Sequence, residues 1–529
     1  MRNFQLPGRS TAHGVNGMAA ASTPLATLAA IDVLRRGGNA IDAAITASAV
    51  LCVVEPHMTG IGGDCFCLIG RADGSVTGLN GSGRAAMAAD RDWLAGAGLE
   101  GGIPSDSPHA VTVPGAIDAW DVLLRDHGTI GLADALGPAI ALARDGFAVT
   151  PRVARDWAGL VDKIDGDEGA RQHLLLDGRA PQAGEIMHFP ALSRTLETIA
   201  RDGRDAFYEG AIAEEIVTLL AARGGRLTME DFARTAASYV TPIATGFADH
   251  AVDEIPPNGH GITALIGLNV LERFDMARFA PDSPERYHLQ TEAMRRAYML
   301  RNRYVADPDH ADVPVEALLS AETADRLAGE IDLARTMPAN PLELAPTGTD
   351  TIYLTVVDKD RTAVSFINSV FAGFGSGIVT PRTGIALQNR GCGFVTDPAH
   401  PNCIGPGKRP MHTIIPALVR RDGRVILSYG VMGGQYQPMG HVHVALNTLV
   451  YGMDVQEALD FPRSFHDDGA LILEDGVPAA TREALAAMGH TVKAADAPLG
   501  GGQAIAIDRA RGTLVGGSDP RKDGQALGY

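Results

Sequence analysis

The sequence predicts an α+β fold built in layers, with β-sheets packed inside helices. Three observations carry that expectation. From residue 117 to residue 330 the pattern is mostly helical, most plainly over 130–145, 191–204, 211–223 and 287–306. A linker over 336–350, with Pro338, Pro341, Pro346 and Gly348, then changes the character of the chain. Beyond it, β-branched segments at 352–358, 363–368, 413–420 and 425–430 crowd together, helices recur at 442–451, 455–459 and 481–488, and strands at 504–508 and 513–516 close the chain.

The earlier elements follow in order. Ser22-Thr23-Pro24 and the apolar positions 25, 28, 31 and 34 read as a capped helix ending at Gly37-Gly38. Asn39 opens a second, alanine-rich helix from 40 to about 53. A glycine-dense turn, residues 54–64, leads into a strand at 65–69. It lacks both the Lys-Ser/Thr and the glycine spacing of nucleotide loops, so its glycines are read as letting backbone or substrate approach closely. A strand over 76–80 ends in a loop presenting Arg84, which alone reads as a surface charge.

Composition bounds the function. The chain has 529 residues, 45% hydrophobic, enough for a large core. A net charge of −18 without a basic stripe argues against a nucleic-acid partner. The first 17 residues do not read as a secretory signal, and the apolar run 43–54 falls short of the ~20 residues a membrane span needs. Five cysteines, an odd count, fit reduced thiols in the cytoplasm. Cys65 and Cys67 read as two residues on one side of a strand. His441 and His443 sit two apart on a helix, diverge by about 200° and cannot share a ligand. No metal and no cofactor are expected.

Gly348-Thr349-Asp350-Thr351-Ile352-Tyr353-Leu354-Thr355-Val356-Val357 is where chemistry is expected. Strand periodicity puts Thr351, Tyr353, Thr355 and Val357 on one face, and neither face is polar enough to be solvated. Alone, the stretch reads as an uncut core strand. Were the chain cut between Asp350 and Thr351, Thr351 would carry both a hydroxyl nucleophile and an α-amine. An ordinary α-amine pKa of about 7.7–8.0 suits a base near neutral pH.

Taken together, the landmarks resemble the γ-glutamyltranspeptidase family of N-terminal-nucleophile hydrolases. They are Gly38-Asn39-Ala40-Ile41-Asp42-Ala43-Ala44, Val54-Glu55-Pro56-His57, Arg84, residues 351–358, Phe374-Gly375-Ser376-Gly377-Ile378, Lys408-Arg409-Pro410, Gly433-Gly434 and Gly517-Ser518-Asp519-Pro520-Arg521. The resemblance spans nearly the whole chain. It implies a four-layer αββα sandwich made as one precursor, which cuts itself into a large subunit (1–350) and a small subunit (351–529) that stay interlocked; a dimer of such heterodimers is one assembly open to it. It further implies Thr351 as nucleophile and α-amine base, with Ser369 in place of the threonine that positions it. Gly433 and Gly434 become the oxyanion hole, and Arg84 the clamp on a substrate carboxylate.

Substrate recognition departs from the family. The positions that hold a γ-glutamyl α-amine read as Phe371 and Gly393, and the paired pocket serines become His412 and Thr413. Arg390 adds a cation. Carboxylate recognition is therefore expected to persist and ammonium recognition to be lost, which points to a small carboxylate-bearing amide such as oxamate. The alternatives are a true γ-glutamyltransferase or glutathione hydrolase, a glutaryl- or cephalosporin-type acylase, and a non-catalytic binding protein that would remain one intact chain.

Overall fold

The computed structural model describes residue 5 and residues 8–340 and 351–529. Asp350, on the expected cleavage bond, lies outside the described residues. Two seven-stranded antiparallel sheets face each other. The first runs, in spatial order, Gln525–Gly528, Met18–Ala21, Ile352–Val357, Ala363–Ser369, Asp64–Gly70, Val76–Gly81 and Ser238–Val240. The second runs Ala12–Gly14, Thr513–Ser518, Gly501–Asp508, Arg424–Met432, Ala417–Arg421, His250–Glu254 and Ile243–Phe247. Helices Pro24–Arg35 and Ala40–Val54 lie against the first sheet, Gly261–Leu271 and Gln437–Ala445 against the second. The layers are helix, sheet, sheet, helix, as the resemblance implies. Each sheet draws strands from both sides of residue 351.

Local chemistry explains the helix starts. Asn39 accepts from the Ile41 and Asp42 N–H groups, and Asp42 accepts back from Asn39 N, a complete capping box. The helix it opens is buried along its whole length, which its alanines permit. Ala40 N donates to Asp358 Oδ2 at 3.1 Å, tying this helix to the end of the strand Ile352–Val357. Helix Pro24–Arg35 begins where expected, but Thr23 makes no side-chain cap. Pro24 sets its first turn instead, because proline needs no N–H acceptor there.

Three differences from the sequence reading have physical causes. The mostly helical stretch contains the strands Ser238–Val240, Ile243–Phe247 and His250–Glu254, which are only three to five residues long and partly exposed, too short for a period of two to stand out. The strand expected over 413–420 begins only at Ala417. Ile414 N is taken by His412 Nδ1 and Ile415 N by Gln437 Oε1, so neither is left for a ladder. The helix expected over 442–451 starts earlier, at Gln437, and passes into a wider turn over Leu446–Val450.

A polar seam sets how the sheets face each other. Thr355 Oγ1 meets Ser428 Oγ at 2.6 Å across the interface. Tyr353 OH meets Ser365 Oγ at 2.7 Å, and the Tyr353 ring lies over Gly430. A β-carbon at Gly430 would sit 2.3 Å from Tyr353 Cε2, so only glycine admits the ring. Tyr353 opposes Gly430 and Thr355 opposes Ser428; two residues further, the same progression sets Thr351 level with Met432 and the Gly433-Gly434 turn. Gly430→Ala is expected to lower stability by about 1–3 kcal/mol through overpacking, measured by denaturant unfolding of the purified protein.

Candidate active site

Thr351 is fully buried at the head of the strand Ile352–Val357. Ile352 pairs with Asn368, which brings Thr351 beside Ser369, and Ser369 pairs with Asp64 on the next strand. The row Thr351, Ser369, Asp64 thus crosses three neighbouring strands. Thr351 Oγ1 and Ser369 Oγ are 3.0 Å apart. Ser369 Oγ is itself fixed by two donors, Phe371 N at 2.8 Å and Arg390 Nη2 at 3.1 Å. The Ser369 hydroxyl is thus held facing that of Thr351.

Arg390 dominates the electrostatics around this row. Its guanidinium is fully buried, lies 4.3 Å from the centre of the Phe371 ring, and donates from Nη1 to Thr413 Oγ1 at 2.7 Å. Among the described residues no carboxylate bonds it, and its Nε has no partner. Burial lowers its pKa to about 10, the field of Asp64 opposing, so it stays charged at neutral pH. Phe371 adopts φ of 81°, a left-handed conformation that a bulky residue holds only when its surroundings impose it. The guanidinium stacked on its ring and its N–H on Ser369 are those surroundings.

Asp64 and His412 are buried next to this row. Asp64 Oδ1 accepts from Gly83 N, Gly115 N and Gln388 Nε2 at 2.9–3.1 Å, and Oδ2 faces His412 Nε2 at 3.0 Å. His412 Nδ1 accepts from Ile414 N, so Nε2 carries the proton and donates it to Asp64. Burial, with Arg390 nearby, depresses the His412 pKa to about 4. Sequence reasoning missed Asp64 because it stands at the end of the glycine turn; only its register opposite Ser369 brings it to the site. Gly393, at the position of the family's acidic residue, accepts from Asn402 Nδ2 through its carbonyl at 2.7 Å.

Gly433 and Gly434 follow the strand Arg424–Met432, with φ of 128° and 55°. Among the described residues neither amide N–H is taken up by a turn or loop hydrogen bond. The turn can therefore offer donors to an oxyanion. Arg84 stands in a different constellation: it pairs with Asp309 at 2.6 Å and Asp307 at 3.4 Å and donates to the Gly407 carbonyl at 3.0 Å. No hydrogen bond joins it to the residues around Thr351 among those described. Several other landmarks are structural. Asp519 pairs with Arg463 and Arg521 in the interior, and Glu55 accepts from Ser22.

Among the described residues, the cysteine and histidine pairs of the sequence do not come together as ligand sets. Cys65 and Cys67 are buried in one strand and burial raises both thiols. His441 bonds Glu254 at 2.7 Å, whereas His443 faces Arg286 at 3.1 Å. His288, Glu292 and His490 lie close enough to share an ion. Glu292, however, is bonded by both Arg295 and Arg296, and His288 Nδ1 by His490 Nε2. Two guanidiniums on the one carboxylate disfavour a dication there. Among the described residues no helix is long and apolar enough to cross a membrane.

Comparison with known proteins converges on the same chemistry. The Gamma-glutamyltranspeptidase family profile matches residues 26–529. The chain is 37% identical over 526 residues to the "Glutathione hydrolase-like YwrD proenzyme" of Bacillus subtilis, covering 97% of this chain and 99% of that one. It is 36% identical over 529 residues to the "Oxamate amidohydrolase proenzyme" of Klebsiella pneumoniae, covering 97% and 98%. The crystal structure of cephalosporin acylase from Bacillus halodurans superposes with a TM-score of 0.93 at 39% identity, covering 100% and 99%. A buried threonine heading a central strand between two antiparallel sheets, in a chain matched end to end by proenzymes, is the arrangement of an N-terminal-nucleophile hydrolase, and the chain belongs to the gamma-glutamyltranspeptidase family.

Proposed function

We propose that this chain cuts itself between Asp350 and Thr351 and then hydrolyses the amide of a small carboxylate-bearing acid that lacks an α-amine, an oxamate-like substrate. In the precursor the Thr351 nitrogen is an amide and cannot act as base. The Thr351 hydroxyl attacks the Asp350 carbonyl, its C–N bond breaks, and the resulting ester is opened by water. Breaking the C–N bond frees the α-amine, and opening the ester restores the hydroxyl and parts the two chains. The same hydroxyl next attacks the substrate amide, its proton passing to the α-amine and on to the departing nitrogen. Water then opens the acyl-enzyme. The N–H groups of Gly433 and Gly434 hold the negative oxygen formed in each addition.

The observation carrying the substrate class is Arg390, a buried guanidinium that bonds Ser369 beside Thr351 and, among the described residues, has no carboxylate bonded to it. A substrate carboxylate supplies the missing partner, and a charge-assisted pair is strong where water is excluded. An ammonium is poorly served there. Asp64 already accepts four hydrogen bonds, neutral His412 donates toward it, and Arg390 repels a second cation. Phe371 and Thr413 shape the pocket around the guanidinium. Arg84 is a second carboxylate contact, since its partner Asp309 is 56% exposed and free to yield. The similarity to a protein named a glutathione hydrolase-like proenzyme keeps γ-glutamyl hydrolysis as the second reading. Release of nitroaniline from γ-glutamyl-p-nitroanilide, with no ammonia from oxamate, would reverse the order.

Four outcomes are expected. Thr351→Ala leaves one uncut, inactive chain by intact mass, whereas the wild type yields two fragments, the smaller beginning at Thr351. Arg390→Gln, assayed on whatever fraction is cut, raises KM for oxamate at least tenfold in steady-state assays, as loss of a charged partner of about 1.5–3 kcal/mol requires. Arg84→Ala leaves cutting intact and also raises KM. Acidification lowers stability between pH 6.5 and about 4, because the unfolded chain binds the His412 proton first; the full loss is on the order of 3 kcal/mol, and His412→Gln flattens that slope in pH-dependent unfolding.

A further inference from the structure

The residue after the paired glycines is held by one long helix. Pro284–Tyr304 runs for 21 residues, most of them buried. Tyr298 donates its hydroxyl hydrogen to the Gln435 carbonyl at 2.5 Å. One turn further on, Arg301 Nη1 donates to Gln435 Oε1. The Arg301 guanidinium lies 4.7 Å from the centre of the Tyr298 ring, and its Nε and Nη2 are fixed by Asn302 Oδ1 at 2.8 and 2.6 Å. Tyr298 and Arg301 are therefore a single buried, pre-set unit, each donating one bond to Gln435 while Arg301 is braced by Asn302 and faces His260 Nδ1 at 3.3 Å.

The turn needs such a unit. Gly433 and Gly434 both have positive φ and no side chains, so the direction of their N–H groups depends on what anchors the residues on either side. On the Met432 side the anchor is the sheet; on the other it is Gln435. The helix also reaches the chain that approaches the cut. Thr336 Oγ1 donates to Glu292 Oε1 at 2.7 Å, and Met337 N to Glu292 Oε2 at 3.2 Å. Arg295 donates to the carbonyls of Met337 and Pro338 at 2.9 and 3.1 Å. One rigid element thus references both the segment leading to the cleavage bond and the oxyanion turn.

We infer that Tyr298 and Arg301 are positioning residues, which aim the Gly433 and Gly434 N–H groups at the oxyanion in self-cleavage and in turnover alike. Neither touches the substrate; both act through Gln435. The inference rests on the proposed roles of Thr351 and the glycine pair. It follows that their loss weakens a contact made only in the transition state, lowering kcat and leaving KM nearly unchanged.

The test compares Tyr298→Phe, Arg301→Met and Arg301→Lys with the wild type and Thr351→Ala. It measures precursor self-cleavage, kcat and KM on oxamate and γ-glutamyl-p-nitroanilide per mole of cut enzyme, and Tm. Tyr298→Phe and Arg301→Met are expected to slow both cutting and kcat by roughly tenfold to a hundredfold, with KM within about twofold. Arg301→Lys, which keeps a cationic donor, recovers part of both rates. Wild-type kcat in Tyr298→Phe and Arg301→Met, or a change in KM alone, overturns the inference even if Tm falls. Cutting that persists in Thr351→Ala instead overturns the underlying reading.

Discussion

The face-to-face register of the two sheets is the constraint on which the site depends. Tyr353 stacked over Gly430 and Thr355 bonded to Ser428 pin a strand of one sheet to a strand of the other. A slip of one residue would turn every side chain to the opposite face. Thr351 and the Gly433-Gly434 turn lie on different sheets, at the ends of those two pinned strands. Their relation is therefore a property of the interface, held by close packing and a short hydroxyl contact rather than by any loop.

On that frame the pocket is organised by charge that is left uncompensated. A buried guanidinium without a bonded carboxylate is unfavourable in the free protein, and Arg390 is tolerated through its stacking on Phe371, its two hydroxyl acceptors and the field of Asp64. Asp64 cannot approach as a direct partner because backbone amides, Gln388 and His412 already occupy it. The hydroxyl of Ser369, which faces Thr351, is held by the same guanidinium.

Long-range order comes from the helix Pro284–Tyr304, whose polar residues are buried and paired along much of its length. Glu292 and Arg295 hold residues 336–338, while Tyr298 and Arg301 hold Gln435. Such a helix carries little amphipathic signal, because arginines and glutamate on it face inward as much as outward. Polar interior residues of this kind are read from sequence as surface.

Much of the outline was legible in the residues alone. The Asn39 capping box, the β-branched run at 352–357 and the change of character near 336 needed only local rules, since propensity and periodicity act over a few residues. The short strands between 238 and 254 were not legible, because three to five half-exposed residues take their conformation from the sheet they join. Residues 413–416 were expected as strand and are not, because His412 and Gln437 take their N–H groups. Sequence by itself settled the layered class, the family and the threonine that heads the strand. Only the tertiary structure decided that Arg390 bonds Ser369 and Thr413 and, among the described residues, no carboxylate, while Arg84 is engaged by Asp307 and Asp309, because which charges meet depends on contacts between residues far apart in the chain.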